Sequence, residues 1–236
     1  MKREEGTHKV AKTVELQYEG HFELKAQRGL TKLGVEKNAN WQRDPKRLVF
    51  VLSRYKFVAK MLAGKRRVLE IGCGDAFPAR IVLQEVGELH AVDIDPLFIE
   101  DALERADPDW PFTLAVHDML AGPVAGEFDA AFSLDVLEHI APADERRFLE
   151  NALASLTPEG VLIIGTPSFE SQVYAAPLSK AGHVNCKKAP ELKALMLEYF
   201  DNVFMFSMND EVVHTGYQPM AQYIFAIGAG KRRVST

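Results

Sequence analysis

The chain has 236 residues, a formal net charge of −5, 47% hydrophobic and 26% charged side chains, which fits one α/β domain with additions and excludes disordered or collagen-like chains. No apolar run approaches the roughly 20 residues of a membrane helix, and the first residues, MKREEGTHKV, lack the apolar stretch of a secretion signal. Two cysteines, Cys73 and Cys186, are too few for a disulfide scaffold or an all-cysteine zinc site, so a reducing, cytoplasmic home is expected.

From the N-terminus, residues 1–43 are polar and weakly patterned and read as an arm or lid. Residues 1–67 hold 17 basic and 7 acidic side chains, which leaves the remainder at −15. The basic part is either a solvated helical segment or a surface facing an anionic ligand group. An overall acidic chain argues against a broadly basic nucleic-acid surface, and the lack of a long apolar run against a membrane partner. Tyr18, Phe22 and Trp41, interleaved with basic residues, fit a lid or ordinary packing equally. His8, His21, His90 and His117 read as structural or surface.

Asp44–Leu62 predicts a helix, with Asp44 as N-cap, Pro45 at the first helical position, apolar residues at helical spacing and Gly64 beyond the end. Strands are predicted at Arg67–Ile71, Glu88–Asp93, Phe112–Val116, Phe128–Ser133 and Val161–Gly165. Helices at Ala76–Val86, Pro96–Ala106 and Ala143–Ser155 separate them, the rhythm of a parallel sheet with right-handed crossovers. A helix at Ala189–Glu198 precedes two strands, Asn202–Met208 and Gln222–Ile227. With no helix between them, these should pair antiparallel.

The string VLEIGCGDAFPAR, residues 68–80, runs from strand into Gly72-Cys73-Gly74 and then helix. Such a turn lets backbone approach a ligand closely. Glu70 ends the first strand, Asp93 ends the second nineteen residues after Gly74, and Asp118 follows the third. Acids at successive strand ends fall along the crevice where open α/β sheets bind ligands; a carboxylate at Asp93 suits ribose hydroxyls, and acids beside the glycines suit a cation. Asp95 reads as a helix N-cap, and Cys73 as packing.

The runs VLEIGCGDAFPARIV, AVDIDPLFIEDA, VHDML, FDAAFSLDVLEHI and LTPEGVLIIGTPS resemble class I S-adenosylmethionine-dependent methyltransferases over about residues 65–168. The resemblance implies a Rossmann-like seven-stranded sheet in the order 3-2-1-4-5-7-6, strand 7 antiparallel, with a helical N-terminal extension. The expected division is 1–43 arm or lid, 44–230 methyltransferase domain and 231–236 tail. Carried over by position, Glu70, Gly72 and Gly74 would line the methionine part of the cofactor. Asp93 would take the ribose hydroxyls, Ile94 would pack on adenine, Asp118 would accept its amino group with Met119 beside it, and Leu134 would offer its carbonyl to the ammonium. Arg54, on the preceding helix, is the candidate for the cofactor carboxylate, against a solvated surface arginine.

Proton removal should fall to residues after strands four and five. Asp135, Glu138 and His139 share one face if their segment is helical. His139 is a candidate base, with Glu138 beside it; His183 is a second, and His214 a weaker third. Asp135, Glu138, His139 and His183 also resemble the ligand set of metal-assisted relatives, among them ubiquinone-pathway O-methyltransferases, with Asp in place of the first Glu; a divalent metal is the less favoured alternative. The expectation is O-methylation of a small acceptor bearing phosphate or carboxylate, such as a nucleotide-linked sugar. N-methylation, nicotinamide-dependent oxidoreduction and cofactor binding without turnover are the alternatives. The sequence sets no oligomeric state.

Overall fold

The computed structural model describes residues 13–232; His8 and residues 233–236 of the tail lie outside them. The chain divides into two compact units, one up to Leu33 and one from Gly34 onward. The first contains α1 (Glu19–Arg28). The second begins with α2 (Val35–Arg43), so the sequence boundary at 43 falls inside it.

α3 (Lys46–Met61) follows, starting one residue later than expected. Pro45 takes the N-cap position, and the Asp44 carboxylate lies near Lys46 and Arg47 at 3.8 and 3.5 Å instead of capping the helix. β1 (Arg67–Ile71) leads through the glycine turn to α4 (Ala79–Leu83), β2 (Glu88–Asp93), α5 (Pro96–Glu104) and β3 (Thr113–Val116). Only five residues of the expected Ala76–Val86 helix are helical, because Ala76 sits at φ +49° and Pro78 can start a helix but not continue one. Asp95 caps α5, accepting from Leu97 N at 2.9 Å. β4 (Phe128–Leu134), α6 (Glu145–Ala154), β5 (Leu156–Pro167), α7 (Pro177–Gly182) and α8 (Ala189–Leu197) complete the α/β part.

β6 (Phe200–Asn209), β7 (Val212–His214) and β8 (Tyr223–Lys231) close the sheet. Its order is β3-β2-β1-β4-β5-β8-β6-β7. β1 to β5 are parallel where they pair, and β8 runs antiparallel to both β5 and β6. The expected order holds, with eight strands in place of seven. The extra strand is a fold-back: Asp210, at φ +51°, turns the chain so that Val212–His214 pairs with the end of β6.

Alternation along each strand sends successive side chains to opposite faces. Leu69, Ile71, Ala131 and Ile164 pack under α6 and α8 with Phe148, Leu149, Leu192 and Met196. Val68, Ala130, Phe132 and Ile163 pack against α3 and α4 with Val58, Leu62, Ala79 and Val82. Both faces are covered, and the parallel strand ends at Ile71, Asp93, Val116 and Leu134 define one rim. No helix among the described residues is long and apolar enough to cross a membrane.

Candidate active site

At the end of β1 the chain turns through Gly72 (φ +77°) and Gly74 (φ +52°), a backbone region that favours glycine. A Cβ on Gly72 would lie 2.2 Å from Val136 Cγ2, so glycine also lets the turn pass under the segment after β4. Asp93, at the end of β2, holds the turn: Oδ2 accepts from Gly74 N at 2.8 Å and Oδ1 from Asp95 N at 2.9 Å. Each oxygen keeps a lone pair for a hydroxyl.

Glu70 is buried. Tyr55 Oη donates to its Oε1 at 2.6 Å, while Oε2 has no hydrogen-bond partner. Burial pushes its carboxyl up to about 8, against the opposing pull of Tyr55 and the positive charge of Lys37. An orphaned buried carboxylate oxygen favours an incoming cation. Ile94 is exposed beside Asp93, Met119 is buried behind Asp118, and Asp118 Oδ1 accepts from Leu120 N at 2.8 Å. Leu134 ends β4, buried. Cys73 is buried and its thiol is driven far up by burial and the neighbouring carboxylates, which fits packing and not nucleophilic attack. These groups suit an adenosyl ligand with a positively charged amino-acid end: glycines for close approach, an acid for the ribose, and an unpaired acid for the cation.

Arg54 reaches the site from α3, and it is not a solvated surface arginine. Its side chain is 15% exposed, and its Nη1 donates to both Asp135 oxygens at 2.9 and 2.6 Å. The guanidinium lies 3.8 Å from the centre of the Tyr223 ring, and Nε is buried without a partner. Asp135 sits at φ +57°, which ends any helical run before it starts; only Leu137–His139 forms a 3-10 turn. Asp135 therefore does not share a face with Glu138 and His139, and it is not grouped with them.

Glu138, His139 and His183 do meet, with one potential ligand atom of each lying within 4.8 Å of the others. The two imidazoles approach edge to face, ring centres 5.1 Å apart. His139 Nδ1 is 2.9 Å from Gly182 O, an acceptor only, so Nδ1 carries a proton and the neutral ring has its lone pair at Nε2. His183 Nδ1 is 2.8 Å from Gln172 Oε1, and Gln172 Nε2 donates to Ser168 O at 3.1 Å, which fixes the amide and leaves His183 Nε2 free as well. Burial and His139 hold the His183 pKa below its ordinary value. Glu138 is buried, accepts from Thr166 Oγ1 at 3.0 Å, and is pushed up to about 8 by burial and Asp135. Two unprotonated nitrogens beside a protonated or metal-seeking carboxyl can accept a proton from a hydroxyl or ligate a cation.

His214 stands apart: Nε2 bonds Asn209 Oδ1 at 2.8 Å and Nδ1 accepts from Gly216 N at 2.9 Å, so both nitrogens are spent on the end of β6 and the loop after β7. Sequence reasoning missed Gln172, Tyr55, Tyr223 and Lys37. Gln172 and Lys37 lie in no motif, and Tyr55 was visible only as one apolar position of α3.

Residues 68–160 match a family model described as a methyltransferase domain. The chain is 28% identical over 124 residues to the mitochondrial ubiquinone biosynthesis O-methyltransferase of Schizosaccharomyces pombe, covering 50% of this chain and 44% of that protein. It is 25% identical over 162 residues to the ubiquinone biosynthesis O-methyltransferase of Xanthomonas axonopodis pv. citri, covering 66% and 67%. The alignments thus span about half to two thirds of these relatives' length. Among solved structures, the methyltransferase domain of bacterial CtHen1 superposes with a TM-score of 0.62 at 15% identity, covering 76% of this chain and 98% of that one. The N-methyltransferase NodS from Bradyrhizobium japonicum WM9, in complex with S-adenosyl-L-homocysteine, gives 0.61 at 18% identity, covering 81% and 90%. These structural likenesses speak to fold; the family match over residues 68–160, the motifs and the sheet order support a class I S-adenosylmethionine-dependent methyltransferase.

Proposed function

We propose that the chain transfers a methyl group from S-adenosylmethionine to a hydroxyl of a small acceptor. The observation that carries this is the sharing of one sheet rim by two sites: an acidic notch with an orphaned Glu70 oxygen, and one strand further a pair of imidazoles with free Nε2 atoms. The notch suits a cationic donor, and the imidazoles suit an acceptor that must lose a proton. The donor supplies its own activation as a sulfonium methyl, so the chain's work is to bind, align and deprotonate. Glu70, Gly72, Gly74 and the Leu134 carbonyl are assigned to the methionine part. Asp93 is assigned to the ribose, and Ile94, Asp118 and Met119 to the adenine. Arg54 is assigned to holding Asp135, and His139 and His183, backed by Glu138, to receiving the acceptor proton at Nε2. The basic N-terminal third supports an acceptor with a phosphate or carboxylate.

Turnover with labelled donor against neutral and anionic hydroxyl acceptors tests this reading. His139→Ala and His183→Ala should each lower kcat by about 10²–10⁴ and leave S-adenosylhomocysteine affinity within about twofold. A base works deprotonated, and burial holds His183 below the ordinary imidazole value, so activity carried by His183 should rise with pH below the ordinary imidazole range and stay level across neutrality. Normal turnover in both variants would remove the histidines from the chemistry, and indifference to acceptor charge would remove the anionic acceptor.

A second reading is favoured by the same cluster: a divalent ion held by Glu138, His139 and His183, with the histidines oriented through Nδ1 as metal ligands usually are. Such an ion would supply Lewis acidity to the acceptor oxygen. Asp135, the fourth residue of the sequence set, is already held by Arg54. Loss of activity on chelation, restored by magnesium or manganese, would establish this reading over the base.

A further inference from the structure

The acidic notch holds a cation that no motif marks. The first turn of α2 docks on Asp75, which is fully buried: Lys37 N donates to Asp75 Oδ2 at 2.8 Å. A Cβ on Gly34 would fall 2.3 Å from the Asp75 carboxyl carbon, so the glycine permits the approach. The Lys37 side chain is 5% exposed, and its Nζ donates to Glu36 Oε2 at 2.6 Å and lies 3.6 Å from Asp75 Oδ1. Glu36 Oε2 in turn lies 3.0 Å from where a Cβ of Gly74 would stand. The Lys37–Glu36 pair therefore fills the space over the glycine turn, and Lys37 acts on the charge of Glu70 across it.

Glu36, Glu70, Asp75 and Asp93 around this space are acids, while the amino-acid end of the donor brings a carboxylate as well as an ammonium. The carboxylate needs a cation. Arg54 spends its Nη1 on both oxygens of Asp135. Lys37 is bound to Glu36, whose side chain is 45% exposed and can turn to solvent at small cost. The buried ammonium keeps Asp75 at 3.6 Å whichever way Glu36 turns, and needs another acceptor for the hydrogen bond that Glu36 gives up. We propose that Lys37 grips the α-carboxylate of the donor's methionine part, and that Glu36 occupies that position until the donor arrives. One carboxylate replaces another on the same ammonium, so the net charge of the buried site is unchanged by the exchange. The inference rests on the methyl-donor reading above and adds a residue and an order of events to it.

The test is calorimetric, on the full chain, with S-adenosylmethionine and its decarboxylated analogue, which keeps the sulfonium and the ammonium. Lys37→Met should weaken S-adenosylmethionine by at least tenfold and leave the analogue within about twofold, with Lys37→Arg recovering most of the loss. Glu36→Gln, at an exposed position that folding should tolerate, should tighten S-adenosylmethionine by about three- to tenfold relative to the analogue. Equal weakening of both ligands by Lys37→Met, no weakening of either, or a Glu36→Gln variant that binds S-adenosylmethionine no better than the parent would each overturn the proposal. A parent chain that binds neither ligand would sink the methyl-donor reading and this inference with it, whereas normal binding by the parent with unaltered selectivity in the variants sinks this inference alone.

Discussion

Glu70 keeps one oxygen bonded to Tyr55 and the other bare, and its carboxyl is raised from 4.5 to about 8 by burial. Such a group takes up a proton on folding at every pH between those values. Its contribution to stability is therefore full below the unfolded value and is lost as pH rises towards about 8; the buried Glu138, raised for the same main reason, has the same sign. Glu70→Gln should flatten the fall in thermal midpoint between pH 6 and pH 8. At pH 8 the variant should melt above the parent, each kcal/mol gained being worth about 2–4 °C in a domain of this size. S-adenosylhomocysteine affinity should fall in the same variant, because the ligand ammonium would lose its counter-charge. A parallel pH dependence in parent and variant, read by scanning calorimetry, would show that the carboxyl titrates elsewhere.

The segment leaving β4 shows where sequence legibility stops. Asp135, Glu138 and His139 are spaced for one helical face, and a periodic reading puts them together. The left-handed conformation of Asp135 turns its carboxylate to Arg54 instead, and that choice depends on a guanidinium 81 residues away in sequence. Motif spacing similarly placed the glycine turn and the acids at the strand ends, because those follow from local strand–turn–helix chemistry. It could not place Gln172 behind His183 or Lys37 over the glycines, which meet their partners only through tertiary packing. The Arg54–Asp135 pair can be measured. Asp135→Asn tolerates the same backbone but strands a buried guanidinium. It should cost about 1–3 kcal/mol in urea unfolding, less than the 3–5 of a fully buried pair because Asp135 is 38% exposed. Arg54→Met in the same chain should return much of that loss. Additive losses in the double variant would mean that the two side chains are energetically independent.

Across the whole molecule, the parallel half of the sheet was readable because its strands are apolar runs between amphipathic helices. The added strand β7 was not, since three residues folding back over the end of β6 carry no periodic signal. Both faces of the sheet are covered by helices that begin after Gly34, so this unit has its own core. A chain starting at Gly34 should keep a single cooperative unfolding transition within a few degrees of the parent; loss of cooperativity would show that the first 33 residues belong to the fold. The way the two imidazoles are tethered has an evolutionary corollary. Both lean on one stretch of chain between β5 and α8, through Gly182 O and Gln172 Oε1. Any exchange of that stretch that removes these two acceptors also resets which ring nitrogen carries the proton. Under the proposed function, acceptor choice and proton handling would be inherited as one cassette, separable from the donor end of the sheet, and a graft of this stretch between relatives should transfer both traits at once.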